Sequence, residues 1–263
     1  MIKDFKTIRV KRLDDQLKQP LRQKLLAMAD DELILAHRNS EWTGHAPILE
    51  EDIAFSNIAQ DELGHATLFY GLIKELTGEE PDQLVFFREA ADFRNIQMVE
   101  LRKGDWAFSM VRQYLFDASE MVRAAALING RYKPLAEAAA KIRQEELYHY
   151  RHTSEWVRRL GLGTEESHGR TQIALNDLWP YAFQLFAPIE GESELVRAGF
   201  VPDSDELRHS WEVVVLAHLR SAGLQIPLVE DAPAADRGEH TDYFPALIAE
   251  LQSVARSDPE AVW

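Results

Sequence analysis

The chain has no cysteine among its 263 residues. Disulfides, zinc–thiolate sites and iron–sulfur clusters are therefore excluded. Any metal must be held by carboxylate and imidazole, a donor set that suits iron or manganese. Alternating apolar–polar runs that would read as strands are nearly absent, and the punctuation favours long helices. Long uncharged stretches are missing as well. The most apolar window, Ile173 to Ile189, is broken by Asn176, Asp177 and Gln184 and is too polar to span a bilayer. No apolar stretch follows the charge-bearing segment Met1 to Lys6, so a secretory signal is not expected. Positive charge is the other shortage. Lysine and arginine number 29 against 44 acids, a net charge of −15, and no basic run offers a nucleic-acid groove. The expectation is a cytoplasmic protein with neither membrane nor nucleic acid as a partner.

What is present is ample core material: 46% hydrophobic and 28% charged residues, which excludes general disorder. Four long helices are predicted, at about 20–37 opening on Pro20, 47–76 opening on Pro47, 105–128 ended by Asn129-Gly130, and 134–160 opening on Pro134. A mixed link over 79–104 has room for one short helix. Three more helices follow at about 167–186, kinked at Pro180, 205–222, capped by Asp203 or Ser204, and 243–255. The Pro/Ala/Asp-rich stretch 228–240 reads as a loop. The whole, 1–263, reads as a single all-α domain, a four-helix core (about 20–160) with C-terminal helices (about 167–255) packed on it.

Two segments use one device twice. Asp61-Glu62-Leu63-Gly64-His65 and Glu145-Glu146-Leu147-Tyr148-His149 each set an acid, a glutamate, and a histidine three residues later. That spacing stacks Glu62 over His65, and Glu146 over His149, on one helix face. Glu32 lies 30 residues before Glu62, and Asp117 lies 29 before Glu146. A carboxylate plus Glu-x-x-His from each of two helix pairs is the ligand set by which four-helix bundles hold two iron or manganese ions. Four carboxylates and two neutral imidazoles also balance two divalent cations. Glu120, one turn from Asp117, competes with it as the ligand from its helix.

Glu-x-x-His also occurs at Glu165/His168 and Glu206/His209. Both of those glutamates fall in the first turn of a helix, where the dipole favours an acid. Glu62 and Glu146 lie mid-helix on an apolar stripe, where a lone carboxylate is costly. Asp61 and Glu145 are placed to hydrogen-bond the opposite motif's imidazole, Asp61 to His149 and Glu145 to His65. Gly64, a costly residue inside a helix, is expected to serve close helix packing, and Trp42, His45 and Tyr148 to serve the core.

Beyond the motifs, the runs Glu41-Trp42-Thr43-Gly44-His45-Ala46-Pro47, Arg112-Gln113-Tyr114-Leu115-Phe116-Asp117-Ala118 and Gly238-Glu239-His240-Thr241 resemble the PaaC component of bacterial phenylacetyl-CoA epoxidase. The resemblance implies a ferritin-like bundle. It implies a role in oxygen-dependent epoxidation of an aromatic acyl-CoA, a heteromer with a PaaA-like sister, and electrons from a separate flavin/iron–sulfur reductase. In that family PaaA houses the di-iron site, whereas the best-known PaaC chains have lost the ligands and act structurally. This chain departs from the PaaC pattern by keeping Glu32, Glu62, His65, Asp117, Glu146 and His149. A catalytic di-iron component, a structural one and a ferritin-like iron oxidase or store all remain open at this point. So do iron against manganese and homo- against hetero-oligomer, the crowded apolar residues of 173–189 being one candidate contact.

Overall fold

The computed structural model describes residues 13–229 and 236–261. The expectations for Met1 to Lys6 and for 230–235 of the loop lie outside the described residues. Helix α1 (Asp15–Ser40) begins on Asp14, whose carboxylate accepts from the Gln16 amide. Pro20 therefore does not open the helix but sits inside it. The Asp14 cap satisfies the exposed amide end, and the proline ring packs against Gly191, where a Cβ would come within 2.6 Å of Pro20 Cγ. Helix α2 (Leu49–Thr77) starts two residues after Pro47 and closes on Gly78 at φ 84°, a left-handed cap that glycine adopts without strain.

The link to the second hairpin holds two short helices, α3 (Pro81–Phe86) and α4 (Gln97–Glu100), and a 3-10 turn at Ala90–Asp92. Helix α5 (Trp106–Leu127) is capped by Asp105, and α6 (Lys133–Gly161) carries Pro134 in its first turn. Helix α7 (Glu165–Ala182) runs through Pro180 into a 3-10 turn at Phe183–Phe186. Helix α8 (Glu192–Ala198) was not foreseen. Seven residues between left-handed Gly191 and Gly199 are too few to show a period. Asp203 caps α9 (Ser204–Ser221), and α10 (Phe244–Ser257) is the last described helix.

Helices α1/α2 and α5/α6 form two hairpins, and α2 lies against α6. The later helices clad this core unevenly: α7 and α9 pack on α5, α8 on α1, and α10 on α3. The result is all-α and ferritin-like, and among the described residues there is no strand. No described helix is long and apolar enough to cross a membrane. The apolar surplus of 173–189 is consumed inside the fold. Trp179 stacks on Trp211 at 5.5 Å, Trp211 is fully buried, and its indole N–H donates to the Leu115 carbonyl. Only Ile173 of that stretch is an exposed large hydrophobic.

Gly64 corrects the packing expectation. It faces solvent, and a Cβ there would meet nothing within 4 Å, because the residue between Glu62 and His65 on the outward side of α2 has no helix across from it. Gly161 is the close approach: a Cβ would lie 2.4 Å from the Ala222 carbonyl oxygen at the end of α9. Gly161→Ala is therefore expected to destabilise the fold by about 1–3 kcal/mol through overpacking. Gly64→Ala should stabilise it by about 0.5–1 kcal/mol by removing the glycine penalty. Urea unfolding of the two variants checks the pair, and equal midpoints would overturn the contrast.

Candidate metal centre

Three consecutive acids on α1 are buried and point three ways. Asp30 accepts from Tyr70 Oη at 2.5 Å, from Arg88 at 2.5 Å and from the Arg94 amide at 2.7 Å. Asp31 accepts from Arg237 and from the Ile96 amide, both at 2.8 Å. The first two acids thus tie α1 to the link and to the segment before α10. Glu32 turns inward, and neither of its oxygens has a hydrogen-bond donor.

At the bundle centre Glu32 meets Glu62 and His65 of α2 and Glu146 of α6, each with a possible ligand atom within 4.8 Å of the others. A second group, Glu62, Asp117 and His149, meets the same criterion, so Glu62 belongs to both. All six residues are 0–1% exposed. His65 Nδ1 lies 3.1 Å from Glu146 Oε1 and 3.6 Å from Glu32 Oε2, and His149 Nδ1 lies 3.9 Å from Glu62 and from Glu146. Both Nδ1 atoms, both Glu146 oxygens and Glu62 Oε2 lack hydrogen-bond partners. Orphaned buried oxygens and imidazole nitrogens converging on one another are the donor set of a pair of hard-to-borderline divalent ions, and the residues present fit that group.

The outward ring nitrogens are occupied. His65 Nε2–H donates to Glu145 Oε2 at 2.9 Å, and His149 Nε2–H donates to Asp61 Oδ2 at 3.1 Å. Each acid meets the imidazole of the other motif, which leaves Nδ1 of each ring toward the centre. Glu120 is turned away from the cluster, where it pairs with Arg123, whose other nitrogen donates to the Leu185 carbonyl. Glu165 is exposed in the first turn of α7, and Glu206 and His209 are exposed on α9. Trp42 is buried in a satellite cluster with Phe55, Ile58 and Met110, whereas His45 and Tyr148 are exposed rather than core.

Sequence reasoning missed the donors that serve Asp117. Gln113 Nε2 donates to Asp117 Oδ1 at 2.6 Å and to Glu62 Oε1 at 2.7 Å. Thr153 Oγ1 donates to Asp117 Oδ2 at 2.7 Å, and Asn39 Nδ2 donates to Gln113 Oε1 at 2.7 Å. The available signal was spacing: Gln113 is one turn before Asp117, and Thr153 is one turn after His149.

Comparison with known proteins fits this picture. Residues 9–263 match the family described as phenylacetic acid catabolic protein, PaaA/PaaC. The chain belongs to that family. It is 36% identical over 240 residues to the C component of the 1,2-phenylacetyl-CoA epoxidase of Escherichia coli K12, covering 90% of this chain and 97% of the relative. It is also 26% identical over 183 residues to the A component of the same organism's enzyme, covering 69% of this chain and 58% of that relative.

Burial and the surrounding acids set the protonation of the centre. Burial pushes Glu62 well above the usual carboxylate range, aided by the charges of Glu32 and Glu146. Burial raises Asp117 likewise, against the opposing pull of His149. Burial disfavours a charged His65, but Glu146 and Glu32 outweigh it and push the imidazole up to about 12. His149 rises to about 9, where burial is outweighed by the hydrogen bond to Asp61 and by the charges of Glu146, Glu62 and Asp117. All four shifts mean that the folded chain holds protons the unfolded chain would release. The stability from His149 is complete below its unfolded pKa, about 6.5, and is lost as the pH rises through about 9. His65 loses its contribution over a window reaching about 12. Chelator-stripped protein should accordingly lose stability from pH 6.5 to 9. Urea midpoints measured across that interval check this, and a rising midpoint would contradict it.

Proposed function

We propose that this chain is a metal-binding component of a multicomponent oxygenase that epoxidises an aromatic acyl-CoA, with phenylacetyl-CoA the first substrate to test. The observation that carries the reading is the buried assembly of Glu32, Glu62, His65, Asp117, Glu146 and His149. In this reading those six residues hold two iron ions, a PaaA-like sister docks beside the chain in the cytoplasm, and a separate flavin/iron–sulfur reductase delivers electrons. Two bound ferrous ions would supply the redox chemistry that lets dioxygen react with an aromatic ring. The net reaction takes the thioester, O2, two electrons and two protons to the epoxide and water.

The chain's own residues have definite parts in this. His65 and His149 would give up the Nδ1 proton on taking an ion and keep their Nε2–H hydrogen bonds to Glu145 and Asp61. Those two acids are 51% and 38% exposed at the side chain, so each imidazole is linked to solvent through a carboxylate. Thr153 and Gln113 hold Asp117 by both oxygens. The apolar walls of α1, α2, α5 and α6 keep bulk water from the centre, which strengthens every charge interaction within it.

A second reading, a component that binds metal without turning over substrate, has specific support. Trp42, Phe55, Ile58, Met110 and Trp106 fill the core beyond the Gln113 end of the centre. Docking has its own support. Leu49, Ile53 and Leu63 are 70%, 56% and 43% exposed along one outward face of α2, and Tyr148 of α6 is 52% exposed. Among the described residues, α2 packs mainly on α1, α6 and α3 rather than on α7 to α10.

The experiment is co-expression with a PaaA-type paralogue in iron-supplemented medium, followed by elemental analysis and reductase-driven turnover of phenylacetyl-CoA. Two irons per chain and an epoxide product that is lost on Glu62→Ala in this chain support catalysis here. Retained turnover with that variant assigns the structural role, and less than one iron per chain rejects the metal reading. Asp61→Ala should weaken metal binding about 10–100-fold, read by competition with a chromogenic chelator. Ile53→Asp should release the paralogue on gel filtration with an unchanged Tm, and a complex that survives it would move the docking face elsewhere.

A further inference from the structure

The two halves of the centre are related by near-equal spacing along the chain, yet their surroundings differ. Thr153 and Gln113 serve Asp117, but the residues at the matching places of the first hairpin are Met28, one turn before Glu32, and Phe69, one turn after His65. Both are buried, and neither can donate a hydrogen bond. This accounts for the contrast between the bare oxygens of Glu32 and the occupied oxygens of its counterpart Asp117.

We propose that Gln113 is a positioning residue that makes the two metal positions unequal: an ion at the Glu32–His65 end binds first, and an ion at the Asp117–His149 end binds second and depends on Gln113. The proposal rests on the reading of the six residues as ligands. The first end offers four residues, Glu32, Glu62, His65 and Glu146, against three at the second. At the second end a single amide holds two carboxylates, Glu62 and Asp117, side by side against their mutual repulsion.

The orientation of that amide is fixed by chemistry. Asn39 donates to Gln113 Oε1, so the NH2 group must face the acids. The reverse orientation would set a carbonyl against two carboxylates and one NH2 against another. Asn39, Gln113, Glu62, Asp117 and Thr153 are all fully buried, so water does not compete for these bonds and the clamp acts at low dielectric. Each hydrogen bond fixes one oxygen and thereby the direction of the lone pairs left for an ion. Outer partners of this kind are commonly worth about 10–100-fold in metal affinity.

The test is calorimetric titration of the full chain with Mn2+ alone, a redox-inert probe, paired with anomalous diffraction from crystals given one equivalent. The wild type should show two unequal steps, with the first ion located at His65. Gln113→Met keeps the volume and removes the donors. It should leave the first step within about threefold and weaken the second about 10–100-fold. Asn39→Ala leaves Gln113 in place but frees its amide, and should weaken the same step by a smaller factor. An unchanged second step in Gln113→Met, or an equal loss at both steps, overturns the clamp while the metal reading stands. A wild type that takes up no Mn2+ overturns both.

Discussion

Four carboxylates in the middle of a four-helix core are the constraint on which the rest of this protein depends. Glu32, Glu62, Asp117 and Glu146 are 0–1% exposed, and isolated ionised acids in such a place would be prohibitive. The chain answers by concentrating counter-groups at the centre. Two imidazoles face the carboxylates, and the surrounding acids favour the positive form of His65 and His149 against the effect of burial when no ion is bound. The same arrangement suits two divalent ions, which would displace the Nδ1 protons while the Nε2 hydrogen bonds persist. Protons and metal are thus alternative answers to one electrostatic problem.

The same logic shapes the periphery. Asp30 and Asp31 precede Glu32 on α1, are also buried, and are neutralised by arginines from distant segments, Arg88 and Arg237. Glu100 is fully buried and gathers Asn95, His240 and Thr241. Lys24, pulled down to about 8 by burial, still pairs with Glu192, which also accepts from Ser204. Most of these pairs join residues far apart in sequence. They bring the link, the 236–241 segment and α8 onto α1, and so stiffen the helix that carries Glu32. Removing one partner would leave a buried charge uncompensated, which is where ion pairs of this type have their largest effect.

Much of this was legible in the sequence because the relevant patterns are short-range. The i, i+3 spacing, the matching upstream acids and the mid-helix placement of Glu62 and Glu146 singled out the six residues now found together. The helix-start positions of Glu165 and Glu206 set those two motifs aside. The illegible parts have physical reasons too. Stripe reasoning assumes one buried face, but α5 is covered on its outer side by α7 and α9, so Gln113 and Tyr114 are both fully buried and periodicity could not choose between them. The short helices α3, α4 and α8 are shaped by packing rather than by periodicity. Gly64 was misjudged because a glycine in a helix signals an unusual demand without saying on which side of the helix the demand lies.

The departure from twofold symmetry is the most informative part of the centre. A duplicated helical hairpin with identical surroundings would present two equal metal positions. Here the places that Gln113 and Thr153 take in the second hairpin are held in the first by Met28 and Phe69, both buried. Glu32 and Glu146 face the imidazoles, at 3.1 Å or more, and are free to turn toward an ion. Polar neighbours fix Asp117 in one orientation at the cost of some freedom to adapt, and Asp117 is also one methylene shorter than Glu32. One half is therefore adaptable and the other rigid. Glu62, shared by both clusters and held at Oε1 by Gln113, is the element through which a change at the rigid half must be felt at the adaptable one. An amide on a different helix from Glu32 can in this way bear on how that glutamate engages an ion, without touching it.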